Sequence, residues 1–168
     1  FWFPWIYMIA QFMVVWFPVR GVVQSIISHW FMYNVHNLWL TPIALATAYY
    51  IIPKVLGRPI YSNTLALLGF CSLALLGSWT GMAHLIGGPI PIWMSSVGVV
   101  ASVMMMIPVI TVTLNLYLSV KGAGTDVWRS PALRFVMFGV LSYFFAGMIG
   151  ALMSLRSVNE ITHFTTFA

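Results

Sequence analysis

The sequence predicts an all-α integral membrane protein with about five transmembrane helices. Hydrophobic residues make up 61% of the 168 residues and charged residues only 5%, whereas about a quarter of the residues of a soluble domain are charged. The apolar residues form long runs, joined by short segments rich in Gly and Pro. Strands of a membrane barrel would be about ten residues long and would alternate apolar with polar residues. The runs are longer and do not alternate, so the sequence favours a helical bundle that faces lipid or other apolar subunits.

The predicted spans form a single transmembrane domain over residues 1–168. A helix needs about 20 apolar residues to cross a bilayer. The first run, 6–19, lies between Pro4 and Pro18 and is the shortest. The other four predicted spans are 22–52, 63–86, 92–120 and 131–155.

Proline and glycine mark the ends and bends of these spans. We expect the second span to end at Pro53 and the third to end before the Gly-Gly-Pro turn at 87–89. Pro108 predicts a kink inside the fourth span, because proline removes one helical hydrogen bond. Pro131 is well placed for the first turn of the fifth helix.

The basic residues predict the orientation in the membrane. Five of the seven follow the second and fourth spans, namely Lys54, Arg58, Lys121, Arg129 and Arg134, while Arg20 and Arg156 lie on the other side. The positive-inside rule then places the Lys54 and Lys121 loops in the cytoplasm. The net charge of +5 is spread along the chain, so we interpret it as a topology signal and predict no nucleic-acid partner.

The two ends of the chain are abrupt. It begins at Phe1 without an initiator Met and stops at Ala168. We therefore expect a processed product, a fragment or one split piece of a larger core.

Four histidines lie in or beside the spans, where ionisable groups are costly. His36 is inside the second span, His84 is near the outer end of the third, and His29 and His163 lie toward the same leaflet. Imidazole is a common ligand of haem iron and copper, so His36 and His84 are candidate ligands of one metal. The alternative is that each imidazole hydrogen-bonds a backbone carbonyl or reaches the membrane interface.

Other chemistry-bearing residues are few. Cys71 has no partner for a disulfide or a CxxC site, and the acids Asp126 and Glu160 lie in or beside loops. No Ser/His/Asp pattern, phosphate-binding loop or dinucleotide fingerprint is present, so no catalytic residue is assigned. The many small residues either allow close helix packing or make room for a flat cofactor.

Several segments together resemble the catalytic subunit (subunit I) of haem-copper oxidases, most closely the cbb class, over residues 22–168. These segments are Val35-His36-Asn37, 52–54, 57–62, 79–85, 130–135 and 157–165. The resemblance implies a multihelical core with two haems and one copper that reduces oxygen to water. It also implies a bacterial plasma-membrane location, other membrane subunits as partners and a c-type cytochrome as electron donor.

The resemblance also implies site residues. His36 matches the first of three copper ligands and His84 matches the second member of a His-His pair, provided that three residues are deleted just after Asn37. Ala83 stands where the first member of that pair would be. His163 would lie near a haem propionate.

Two further positions depart from the family pattern. Gly77 stands where the cbb class has a tyrosine linked to a copper ligand, and Ile149 stands where a helix of the family carries a glutamate. Copper is therefore doubtful, and two hypotheses remain open. The chain is either part of an active oxidase or a degenerate, non-catalytic membrane scaffold. A transporter on an unrelated bundle is a third alternative, but no internal repeat favours it.

Overall fold

The structure, a computed structural model, describes residues 2–162, and in this part of the chain all regular structure is helical. The helices are α1 (Trp2–Gln11), α2 (Val22–Val35), α3 (Thr41–Leu56), α4 (Asn63–Gly77), α5 (Ile92–Met104), α6 (Met106–Val120), α7 (Gly124–Arg129), α8 (Pro131–Met153) and α9 (Arg156–Thr162). A π-helical segment follows α1 at Phe12–Trp16, and another, His36–Leu40, joins α2 to α3. A 3₁₀ turn, Thr80–Leu85, follows α4.

Four continuous helical stretches are long and apolar enough to cross a membrane. They are Val22–Leu56, Asn63–Leu85, Ile92–Val120 and Pro131–Met153. The predicted all-α membrane bundle is thus confirmed. The first predicted span is a shorter apolar helix, Phe3–Trp16, because the chain leaves the helix at Phe17 (φ −124°, ψ 75°) before Pro18.

Prolines act differently in the second and fourth stretches. Contrary to expectation, Pro53 does not end the second stretch, which continues through it to Leu56 and ends at Gly57 with left-handed φ of 63°. The expected kink of the fourth stretch is present, because α5 ends at Met104 and α6 begins at Met106. Met104 is four residues before Pro108, where the proline ring removes the hydrogen bond to the carbonyl.

Small residues let the helices approach closely. A Cβ on Gly69 would lie 2.6 Å from Val112 Cγ2, and one on Gly147 would lie 2.6 Å from Val109 Cγ2. The packing interpretation therefore holds at these positions, as is common in membrane bundles. Around them lies a core of buried apolar side chains from α3, α6 and α8: Ala48, Ile52, Val112, Leu116, Val120, Leu133 and Val140.

Polar contacts show which loops share an end of the bundle. Arg58 Nη2 donates to the Lys121 carbonyl at 3.1 Å, so the loops after α3 and α6 meet. At the opposite end, Arg156 Nη2 donates to Ser96 Oγ at 2.6 Å, which joins the start of α9 to α5. The basic loops therefore lie together at one end.

Asn115 fastens the start of α4 to the middle of α6. Its side chain is fully buried, at 0% exposure. Asn115 Oδ1 accepts from Ser62 N at 2.9 Å, and Nδ2 donates to Ser62 O at 2.8 Å and to the Tyr49 hydroxyl at 3.3 Å. We call these three residues the Asn115 clasp.

Candidate functional site

A cavity of about 350 Å³ opens where α2, the 3₁₀ turn, the α5–α6 junction, α8 and α9 meet. Its wall contains polar side chains from all five of these elements and from the π-helical segment after α2: Tyr33, Asn37, Thr80, His84, Ser102, Tyr143, Asn159 and Thr162. The remaining lining residues are apolar or small, including Val109, Gly147 and Gly150. No Asp, Glu, Lys or Arg is among the described lining residues, so the wall offers hydrogen bonds without formal charge.

His84 is held in this wall by Tyr33. The Tyr33 hydroxyl is hydrogen-bonded to Nε2 of His84, and the two rings stack with centroids 4.8 Å apart and planes 25° apart. The 3₁₀ turn that carries His84 lies close against α2, since a Cβ on Gly81 would be 2.8 Å from the His29 carbonyl oxygen. The tight turn therefore brings the imidazole face to face with the phenol.

His36 lies outside the cavity wall. It is exposed, it begins the π-helical segment His36–Leu40, and its Nδ1 lies 3.3 Å from the Met32 carbonyl. Tyr33 and Asn37 point into the cavity from the same helical stretch, and His36 belongs to the neighbouring face. The structure thus does not gather the two candidate ligands around one cavity. His29 likewise pairs with its own helix, with Nδ1 2.9 Å from the Ser25 carbonyl.

Two asparagines fix the break between α4 and the 3₁₀ turn. Asn37 Nδ2 donates to the Gly77 carbonyl and to Thr80 Oγ1, both at 3.0 Å. Buried Asn34 accepts a hydrogen bond from Ser78 Oγ at 2.7 Å. The sequence analysis missed both residues, although amides in the middle of an apolar span are a signal that polar partners lie nearby.

The remaining predicted positions are placed as follows. Ala83 is buried at 2% exposure. Ile149 points away from the cavity and is 55% exposed on α8. His163 lies outside the described residues, so its predicted position near a haem propionate stays a prediction.

The described residues do not fit a copper ion held by three imidazoles. They contain no group of three His, Cys, Asp or Glu side chains that could hold a metal ion. A Cβ on Gly98 would lie 2.4 Å from the Ala83 backbone nitrogen, so α5 packs directly on the backbone at the position of the missing ligand. Ala83 is itself buried, so a larger side chain at position 83 would need neighbouring atoms to move.

The space beside Gly77, where the cbb class has a tyrosine, is also occupied. A Cβ on Gly77 would lie 2.8 Å from Asn37 Cβ, so the neighbouring helix fills that space. Among the described residues, the imidazole in this cavity wall is that of His84, which is hydrogen-bonded to Tyr33.

Long apolar helices around a small polar cavity define a polytopic membrane protein with an internal site. The chain belongs to the family described as "Cytochrome C and Quinol oxidase polypeptide I", whose sequence profile matches residues 1–168. The resemblance to haem-copper oxidase catalytic subunits is thereby confirmed, and the chain is a haem-copper oxidase-like integral membrane subunit. The unrelated transporter bundle is ruled out by this membership.

Relatives are found among bacterial oxidase subunits. The "Cytochrome c oxidase subunit 1 homolog" of Azorhizobium caulinodans is 32% identical over 152 residues, 90% of this chain and 27% of the relative. The homolog of Agrobacterium tumefaciens is 31% identical over 145 residues, 86% of this chain and 27% of the relative. The "Cbb3-type cytochrome c oxidase subunit CcoN1" of Stutzerimonas stutzeri is 29% identical over 145 residues, 86% of this chain and 31% of the relative. The chain thus spans less than a third of the length of these relatives.

Proposed function

We propose that the chain works as a membrane subunit of a respiratory electron-transfer complex, together with other membrane subunits and a c-type cytochrome. The observation that carries this proposal is the uncharged cavity with His84 in its wall, built from segments that match oxidase subunits. Haem and copper are cofactors in the family that it resembles. The helices of this chain would form one wall of the reaction space, and other parts of the complex would complete it.

Within this proposal, oxygen reduction at a haem-copper site and an altered, non-catalytic role are the two alternatives. Oxygen reduction needs a metal centre that the described residues do not supply by themselves. Two observations favour the altered role, namely the contact of Gly77 with Asn37 and the burial of Ala83. Asn37 lies in the space that a tyrosine at position 77 would enter, and the buried Ala83 has no ligating atom. The chain then serves mainly as a structural wall of the complex.

We further propose that the basic end of the bundle faces the cytoplasm of a bacterial cell. The contact of Arg58 with the Lys121 carbonyl supports one shared side for both loops. Lys54, at the end of α3, lies on the same side. Cationic loops are retained on the cytoplasmic side during insertion.

The first test is purification of the tagged chain from its native membranes in mild detergent. We expect it to co-purify with haem-containing membrane subunits, whose reduced-minus-oxidised spectra respond to a reduced c-type cytochrome. A chain that purifies with no haem and no redox partner would contradict the proposed function.

Oxygen uptake and copper content of the same complex separate the two alternatives. The altered role predicts that copper content and oxygen uptake are equal in the unmodified complex, in His36→Ala and in the matched control His29→Ala. Both variants remove an imidazole that is bonded to its own helix. Stoichiometric copper that is lost only in His36→Ala, together with oxygen uptake, would instead establish the active oxidase.

A further inference from the structure

The resemblance places all three copper-ligand positions within the described residues, and the structure separates them. One position is Ala83, which has no ligating atom, and His36 is exposed outside the cavity wall. Only the third position, His84, carries an imidazole into the cavity. Whether copper can bind at this site therefore depends on the contacts of the His84 imidazole.

The Tyr33 phenol occupies the Nε2 atom of that imidazole. When Nε2 accepts the phenolic proton, its lone pair is used by the hydrogen bond. When Nε2 instead carries the proton and donates to the phenolic oxygen, it has no lone pair to offer. In both tautomers a metal ion can bind Nε2 only if the hydrogen bond to Tyr33 is broken, because a metal needs the lone pair of a deprotonated nitrogen.

Packing holds Tyr33 in this position. A Cβ on Gly81 would lie 3.0 Å from Tyr33 Cδ2 and 3.1 Å from Tyr33 Cβ, so the 3₁₀ turn rests directly on the tyrosine. The ring also stacks on the His84 ring at 4.8 Å. To release Nε2, the phenol ring would have to move away from the His84 ring, and the stacking contact would be lost.

We infer that Tyr33 has taken the place of a metal as the partner of the His84 imidazole. The phenol–imidazole pair excludes copper from Nε2 of His84, since the hydrogen bond and the ring stacking both involve this imidazole. The inference concerns this site alone and holds whether or not the complex transfers electrons.

The test uses copper alone as the probe. The purified complex is treated with a copper chelator, titrated with Cu²⁺ and analysed for bound copper and for nitrogen couplings in its paramagnetic resonance spectrum. We expect no copper signal with imidazole coupling from the unmodified complex. Tyr33→Phe keeps the ring but removes the hydrogen bond, and should raise copper affinity about tenfold or more. The gain should vanish in Tyr33→Phe/His84→Ala.

Tyr61→Phe is the matched control, because Tyr61 is an exposed tyrosine at the opposite end of the bundle. Its copper binding should equal that of the unmodified complex. The inference is overturned if the unmodified complex binds copper through His84, or if folded Tyr33→Phe binds no more copper than the Tyr61 control.

A second measurement needs no variant. Nitrogen magnetic resonance of the histidine-labelled complex should show a hydrogen-bonded His84 side chain whose signal is unaffected by added Cu²⁺. Broadening of that signal by copper would also overturn the inference. Haem content, measured on the same sample, reports separately on the proposed function.

Discussion

Individual glycines decide where the helices of this bundle touch. The tightest contact lies between Gly98 on α5 and the backbone of the 3₁₀ turn, where an added Cβ would come within 2.4 Å of Ala83 N and 2.7 Å of the Met82 carbonyl carbon. Backbone atoms cannot rotate away as the end of a flexible side chain can. The turn that carries His84 is therefore placed by a residue that itself has no side chain.

Substitution of Gly98 by Ala should destabilise the bundle. The added methyl group must push the 3₁₀ turn away from α5, and overpacking of this kind costs about 1–3 kcal/mol. We expect a lower midpoint of thermal unfolding in detergent, followed by tryptophan fluorescence.

Gly139→Ala is the control for this substitution. A Cβ on Gly139 meets no atom within 4 Å, and alanine favours a helix over glycine by up to about 1 kcal/mol. Its midpoint should stay the same or rise. Equal losses in the two variants would show that close packing at Gly98 is not what matters.

At the scale of residues, the sequence predicted His84 as a candidate metal ligand but did not predict its contact with Tyr33. A histidine in an apolar span stands out, because an ionisable group at that depth is costly. Tyr33 does not stand out among seven tyrosines, since tyrosine is also common at membrane interfaces. The pairing depends on the close approach of the turn to α2, and a linear pattern does not encode that distance.

At the scale of elements, the Asn115 clasp fixes the position of the start of α4 along α6. The Asn115 side chain offers one acceptor oxygen and two donor hydrogens, and it bonds Ser62 and Tyr49, which lie outside α6. The Ser62 hydroxyl caps the same helix start by accepting from Leu65 N at 3.3 Å. The first turn of α4 is thus fixed by two different side chains.

Asn115→Ala should loosen this helix start. The substitution leaves the Ser62 N–H without its partner, at about 1–3 kcal/mol, while the Ser62 carbonyl keeps the helical hydrogen bond from Ala66 N. We expect faster amide hydrogen exchange in residues 61–66, measured by mass spectrometry, and little change in α8.

Ser72→Ala is a suitable control for the clasp. Ser72 lies later on α4, and its hydroxyl donates to carbonyls of its own helix, with Leu68 O at 2.6 Å. Exchange near Ser62 should be unchanged by this substitution. If Asn115→Ala gives the same exchange as Ser72→Ala, the clasp does not hold the helix start.

Helix boundaries were predicted better in the middle of the chain than near its start. The fourth predicted span, 92–120, coincides with Ile92–Val120, and its kink follows from one proline. The prediction that the second span ends at Pro53 was wrong, because α3 continues beyond this proline to Leu56 and is capped by Gly57. The π-helical segment at His36–Leu40 was also not predicted, since hydrophobic periodicity does not reveal one extra residue in a turn.

Across the whole molecule, large apolar side chains point outward. In the most apolar window of α8 only 6% of the residues are buried. Its exposed face includes Phe135, Phe138, Leu141, Phe145, Ile149 and Leu152. Composition alone predicted this surface, because so few charged residues cannot cover a water-soluble protein. Which part of the face touches lipid and which touches other helices depends on neighbours that a single sequence does not specify.

The orientation of the molecule can be tested with single cysteines. Cys71 is the one native cysteine, so Cys71→Ser gives a background without thiols. In this background we expect Thr125→Cys, at the basic end, to react with a membrane-impermeant maleimide only when the cytoplasmic face is accessible.

Pro89→Cys reports on the opposite end of the bundle. Pro89 lies in the exposed turn before α5, and its cysteine should react from outside intact cells after removal of the outer membrane. Thr125→Cys should not react there. The reverse pattern would invert the proposed orientation.

The Asn115 clasp also has a consequence for the order of synthesis. Asn115 lies 53 residues after Ser62 in the chain, so the ribosome delivers α4 well before its partner on α6. Until then, the N–H of Ser62 is left to water at the membrane surface, whereas its carbonyl can already accept from Ala66 N within α4. Docking of α6 replaces that water with one amide side chain, so the first turn of α4 becomes fixed only after most of the bundle has been made.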